Sequence, residues 1–308
     1  MRVLLTGASG FVGRRLARDL LERGHAVRAP VRHPAPLPPA VEQPPIGDLA
    51  GPVDWAPLLD GVDAVVHAAA IAHTGPGLPD DLYDRVNRDV VLALAEAARG
   101  RVRRFVFLSS IRAQCGVTSD HLLTEADAPA PTDAYGRAKL EAERGLAAMP
   151  DLPWTALRPV VVYGPGVRAN LETLLRIARL PAPLPFGLLR PRRSLLSIEN
   201  LASAVAFALE SPEPAREALI VADPEPIDLA ELVSAMRRAL GRSPMLLPVP
   251  PALMGAALDA LGKGEAWRRL SGSLTASPAR LVSLGWRPPV ASTQEGVRLW
   301  LAAESPRG

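Results

Sequence analysis

Cysteine is nearly absent from this sequence. Cys115 stands alone among 308 residues, which excludes an intramolecular disulfide and fits a reducing compartment. Lysine is almost as rare: of 35 basic residues, Lys139 and Lys263 are lysine and the rest arginine. A lysine kept in so arginine-rich a chain points to work that a guanidinium cannot do. No run of 18 apolar residues occurs, so no membrane-spanning helix and no membrane insertion are expected. No basic and apolar leader precedes the first strand-like run, Met1 to Leu5, and the expected location is the cytoplasm. The net charge of +3 comes from scattered arginines without interleaved aromatics, a pattern that speaks against nucleic acid. His67 and His73 lack a companion at ligand spacing, so no metal site is expected.

What is present is ordinary for a globular protein with a sizeable core: 48% hydrophobic and 22% charged residues. Strand and helix signals alternate through the first half. Strands are predicted at Val3 to Thr6, Ala26 to Val31, Asp63 to His67, Phe105 to Leu108 and Thr155 to Val162. Helices are predicted at Gly10 to Arg23, Tyr83 to Arg99 and Ala134 to Met149, with a proline-dense link from Pro34 to Pro57. That alternation predicts an α/β, Rossmann-like doubly wound parallel sheet. After Gly166 the pattern loosens into helical segments (Leu171 to Leu180, Ile198 to Leu209, Leu229 to Leu240) between proline-rich links. The expected division is residues 1–166 as one domain, rejoined by 195–222, and 167–308 mainly as a smaller substrate lobe. Val249 to Leu261 is apolar enough to touch a membrane surface, but its moderate length and Asp259 favour packing inside that lobe.

Two motifs carry chemistry. Thr6-Gly7-Ala8-Ser9-Gly10-Phe11-Val12-Gly13 joins the first strand to the first helix, the context in which backbone N–H groups and a helix N-terminus hold a pyrophosphate. Tyr135-Gly136-Arg137-Ala138-Lys139 sets an ammonium one helical turn from a phenol. A phenol with an ordinary pKa of about 10 becomes a usable acid–base group when a neighbouring cation stabilises its phenolate. With three tyrosines and two lysines, chance produces this spacing in roughly two per cent of such chains.

The G-x-x-G-x-x-G spacing, the Tyr135/Lys139 pair and the closing Leu284-Gly285-Trp286-Arg287-Pro288 resemble the extended short-chain dehydrogenases/reductases of the epimerase/dehydratase type. The resemblance implies a nicotinamide cofactor held by Gly7, Gly10, Phe11, Val12 and Gly13. It further implies contacts from Asp48 and Leu49 to the adenine, and a cleft lined by Ala68, Ala69, Ala70, Asn87, Tyr135, Lys139 and Pro159. The second strand ends without the carboxylate that meets a ribose 2′-OH in NAD enzymes, and Arg32 stands where a 2′-phosphate would lie. NADP(H) is favoured over NAD(H); the competing reading makes Arg28 and Arg32 solvated surface charges.

The same resemblance implies a catalytic set of Ser110, Tyr135 and Lys139, with Ser110 25 residues before the tyrosine and Ser109 as its fallback. The family's dehydratases carry an Asp-Glu pair just after this serine; here Ile111-Arg112 follow, so elimination of water lacks its acid. What remains is C4 chemistry on a nucleotide (UDP) sugar: reduction of a 4-keto-6-deoxy sugar, or 4-epimerisation with NAD. A non-catalytic dinucleotide-binding regulator is the alternative from another class. Besides Ser110, the resemblance places Asn170 and Arg193 at the nucleotide diphosphate. The bland readings are a helix cap for Asn170 and a surface arginine for Arg193. Cys115 reads as a small apolar filler. Helices beside such sheets often pair in this family, which makes a homodimer the candidate assembly.

Overall fold

A computed structural model describes residues 1–71, 78–168, 170–213 and 215–304. His73 lies outside the described residues. Six strands form one parallel sheet: β1 (Arg2–Thr6), β2 (Ala26–Arg28), β3 (Ala64–His67), β4 (Arg104–Leu108), β5 (Trp154–Pro159) and β6 (Glu217–Val221). Their spatial order is β6-β5-β4-β3-β1-β2. The order reverses between β1 and β3, and at such a switch point the strand ends open a crevice for a ligand. Isolated parallel bridges Arg28–Glu42 and Val31–Pro45 extend the far edge through the proline-dense link.

Strand periodicity sends alternate residues to opposite faces. Val3 and Leu5 enter one apolar cluster with Leu16, Leu20, Leu201 and Val205 from helices α1 (Phe11–Glu22) and α6 (Ile198–Glu210). Leu4, Val65 and Phe105 enter the other, with Val91, Leu94, Ala142 and Leu146 from α3 (Val90–Ala98) and α4 (Ala134–Ala147). The expected helix from Tyr83 begins earlier, as α2 (Asp80–Asp84), and reaches α3 through a π-helical turn, Arg85–Asp89. The expected strand Thr155 to Val162 is cut after Pro159: the Val160 N–H bonds Val221, and Val161–Tyr163 leaves the sheet to pair with Leu195–Ser197. Trp286 of the Leu-Gly-Trp segment is buried against α6 and donates to Ser203 Oγ at 3.2 Å.

A third apolar cluster gathers Leu171, Leu174 and Leu175 of α5 (Asn170–Ala178), Leu232 and Met236 of α7 (Leu229–Ala239), and Trp300. Asp228 and Glu231 form a capping box on α7. Buried Asp223 accepts from Tyr163 (2.8 Å), Asn200 (2.8 Å) and Thr293 (3.1 Å), joining this cluster to the sheet. The expectation that Val249 to Leu261 packs in the lobe holds in part: Met254 rests against the third cluster. Within the helix Pro251–Ala260 the one buried residue is Gly255, and Leu253 is 63% exposed.

Candidate active site

The cleft is built from strand ends and helix starts. Gly7, at φ +75°, sits so close to the chain after β3 that a Cβ would lie 2.6 Å from the Ala69 nitrogen. At Gly13 a Cβ would overlap Gly7 O and Ala8 Cα, so α1 approaches the loop through its third glycine. Gly10 caps α1 without a side-chain bond, leaving the first-turn N–H groups directed at the loop, an arrangement that fits an anionic pyrophosphate. Thr6 Oγ1 accepts the Ala69 N–H at 3.2 Å and lies 3.0 Å from His67 Nδ1, which locks the β1 and β3 ends together. Ala68 and Ala70 flank that buried contact, partly buried and exposed respectively.

Asn87 is fully buried in the π-turn. Its amide accepts from Ile71 N and donates to Ile71 O, both at 2.9 Å, so it clamps the chain beyond Ala70. The extra residue of a π-turn turns that amide inward, consistent with such turns marking functional sites. At the adenine end Asp48 is exposed and caps its own turn through Ala50 N at 3.0 Å, while Leu49 packs partly buried on the second cluster.

Arg28 and Arg32 part company. Arg28 is buried, pairs with Glu42 at 3.0 Å and donates to the carbonyls of Leu58 (3.0 Å) and Asp60 (2.9 Å). It is structural, which corrects the reading of it as a solvated charge. Arg32 is exposed beyond the strand end and bonds no described residue.

Ser110 leaves β4 and caps a short 3-10 turn, Ile111–Ala113, by accepting the Arg112 N–H at 3.2 Å. Its hydroxyl lies close enough to the Tyr135 phenol to favour the ionised form. Asp133 caps α4 through Gly136 N at 2.8 Å. Gly136 is required there, because a Cβ would stand 2.2 Å from Arg112 O, where helix and turn press together. Tyr135 and Lys139 follow on one face. Lys139 is buried, donates to Leu108 O at 2.8 Å and lies 4.5 Å above the Phe107 ring. The Tyr83 ring meets Tyr135 edge-on, with centroids 6.5 Å apart.

Burial pushes the Tyr135 phenol up to about 12; the nearby Ser110 hydroxyl pulls it down, the Asp133 charge adds to the rise and the Arg112 cation opposes it. Burial brings Lys139 down to about 7, opposed by Glu143. Burial, then the Lys139 charge, brings His67 down to about 3, so it is neutral, and its Nε2 has no partner among the described residues. The arrangement can present a proton to an oxygen held by Ser110, with a cation in reserve beneath the phenol.

The sequence reading missed the support of this face. Glu143, one turn beyond Lys139, accepts from Ser109 Oγ (2.5 Å) and from Arg158 Nε (3.0 Å) and Nη2 (2.5 Å). Arg158 also donates to Gln114, which holds the Thr124 and Asp127 carbonyls. Ser109, the fallback serine, therefore belongs to this buried network. The signal was present as Glu143 at helical spacing after Tyr135 and Lys139, but its partner lies in β5.

Pro159 ends β5 at the cleft. Asn170 is the exposed first residue of α5 and Arg193 is partly buried in the strand Arg192–Arg193, which pairs with Ile227–Asp228. Arg193 is thus no surface arginine, and burial lowers its pKa. Buried Cys115 has its thiol pushed up by burial, as an apolar filler would. No group of three or more His, Cys, Asp or Glu fit to hold a metal occurs among the described residues.

Residues 3–222 match the model of the NAD dependent epimerase/dehydratase family. The chain belongs to that family. It is an NAD(P)-dependent enzyme of the extended short-chain dehydrogenase/reductase type, using a nicotinamide dinucleotide. It is similar to the UDP-glucose 4-epimerase of Vibrio cholerae, 34% identical over 312 residues that span 96% of this chain and 93% of the relative. The ceramide reductase of Caulobacter vibrioides is 30% identical over 311 residues, spanning 96% of this chain and 88% of that protein. The crystal structure of the UDP-glucuronic acid 4-epimerase of Bacillus cereus with NAD superposes at a TM-score of 0.75 and 21% identity. It covers 98% of this chain and 96% of that one, a likeness of fold. Among the described residues no helix is long and apolar enough to cross a membrane.

Proposed function

We propose that the enzyme reduces C4 of a UDP-4-keto-6-deoxy sugar, drawing on NADPH. The bareness of the site supports this reading: Ser110, Tyr135 and Lys139 lie on one side of the cleft, Arg112 stands where a dehydratase has its acid, and exposed Arg32, past the end of β2, pairs with no described residue. Ser110 holds O4, Tyr135 gives it a proton, and Lys139 stabilises the phenolate left behind. The bound nicotinamide supplies hydride to C4. Gly7, Gly10, Phe11, Val12 and Gly13 hold its pyrophosphate; Asp48, Leu49, Ala68, Ala69, Ala70, Asn87 and Pro159 shape the cleft. Asn170 and Arg193 receive the nucleotide diphosphate from the lobe of residues 167–308. A reducing cytoplasm suits the free thiol of Cys115.

The second reading is an NAD-dependent UDP-sugar 4-epimerase, favoured by the similarity to the Vibrio enzyme. Cofactor choice separates the two, because a cation at the ribose end suits a 2′-phosphate and a carboxylate suits a 2′-OH. Titrating NADPH and NADH against the native protein and Arg32→Asp is the test. NADPH should bind about tenfold tighter to the native protein, with the order reversed in the variant. Equal native affinities would remove Arg32 from the argument.

A further inference from the structure

A helix apolar on every face belongs in a core or in lipid. Pro251–Ala260 has that composition, Pro-Ala-Leu-Met-Gly-Ala-Ala-Leu-Asp-Ala, with one charge in ten residues. Yet most of it lies on the surface: Met254 rests against the third apolar cluster and Gly255 fits against Trp267 of the neighbouring helix Gly264–Ser271. Leu253 is 63% and Leu261 70% exposed. The patch continues into the segment before it: Met245, Leu247 and Leu188 are exposed, and backbone bonds Leu184–Met245 and Gly187–Leu247 (both 2.9 Å) hold the two stretches side by side. A run of exposed apolar residues from Met245 to Leu261 is the kind of feature that marks an interaction surface.

Charge identifies the occupant. Arg242, Lys263 and Arg268 border the patch in sequence, and none pairs with a carboxylate of a described residue. Elsewhere many of the chain's arginines are paired, as Arg28, Arg88, Arg99 and Arg158 are. A second copy docking through the same patch about a two-fold axis would bring these cations toward their own kind. An anionic lipid surface receives both features: leucines enter the acyl boundary and the cations meet headgroups. At ten residues the helix is about 15 Å long, half a hydrocarbon core, so it lies in the plane and does not span.

We propose that the surface formed by Met245, Leu247 and the helix Pro251–Ala260 docks this enzyme peripherally on an anionic phospholipid bilayer. The surface is independent of the C4 reading and stands whichever reaction the cleft performs.

The test is co-sedimentation of the full chain with vesicles of pure phosphatidylcholine and vesicles containing about 30 per cent phosphatidylglycerol. The protein should pellet with the anionic vesicles at least about fivefold more than with the neutral ones, and high salt should release it. The double substitution Leu253→Glu and Leu261→Glu, at exposed positions, should cut that binding about tenfold while leaving circular dichroism and NADPH binding unchanged. Protein that stays in the supernatant with both vesicles overturns the proposal, as does a double variant that pellets like the native chain. Sedimentation velocity without lipid is the control. A concentration-dependent dimer that the same double substitution abolishes would assign the patch to a second copy and also overturn it.

Discussion

Replacing Glu143 with glutamine removes one charge from the buried face of the helix that carries Tyr135 and Lys139, and almost no volume. Its carboxylate accepts Ser109 Oγ at 2.5 Å and two nitrogens of Arg158, in a pair whose side chains are 4% and 7% exposed. The amide can keep the Ser109 bond, but the guanidinium is left as a buried charge without its counter-ion. Breaking one partner of such a pair costs about 3 to 5 kcal/mol, far more than an exposed ion pair is worth. For a chain of this length that is a fall in melting temperature of roughly 5 to 8 °C. The loss also reaches Lys139. Glu143 is the group that holds the Lys139 pKa up against burial, at about 7. Without it, and with Arg158 uncompensated nearby, that pKa falls further. The protonated ammonium is the form that stabilises phenolate, so native turnover should decline as pH rises through about 7, and the variant's decline should begin at lower pH. Differential scanning calorimetry and initial rates between about pH 5.5 and 9 read the two effects separately. A Glu143→Gln protein melting within about 1 °C of the native chain, with an unmoved alkaline limb, would refute the reasoning.

Two further substitutions probe the same face. Tyr135→Phe should keep cofactor affinity, measured by fluorescence titration, and lose about a hundredfold or more of turnover, because the proton donor alone is removed. Gly136→Ala should lower kcat by about tenfold with the fold retained: its methyl would stand 2.2 Å from Arg112 O and must push α4 away from the turn that carries Ser110. Circular dichroism and initial rates distinguish that displacement from unfolding.

The parts of the fold written in local spacing were legible. Gly7 and Gly10 fell between β1 and α1 and Gly13 in the first turn of α1 as read, and Tyr135 and Lys139 do share a helical face. Alternating strand and helix signals led to the parallel sheet, and Leu219 to Val221 entered it as β6. What escaped was set by distant partners. Glu143 and Arg158 are a surface-type pair by composition and a buried one by topology. Arg28 reads like Arg32, yet the backbone carbonyls of Leu58 and Asp60 that claim it are invisible in sequence. The π-turn at Asn87 leaves no mark in a helical pattern, since periodicity cannot register one inserted residue. The apolar segment Val249 to Leu261 reads as packed in the lobe; Met254 does rest there, but most of the helix Pro251–Ala260 is exposed, because composition reports a preference for burial without saying what provides it.

The central claim is net reduction at C4, and one measurement tests it most directly. Purified protein is mixed with NADPH and a UDP-4-keto-6-deoxy sugar, and loss of absorbance by the reduced nicotinamide is followed beside product analysis. The account predicts one NADPH oxidised per sugar reduced, a single C4 epimer, and no interconversion of UDP-glucose with UDP-galactose. Failure to consume NADPH, together with interconversion of those two sugars or their N-acetyl forms without added cofactor, would contradict it and establish the epimerase reading.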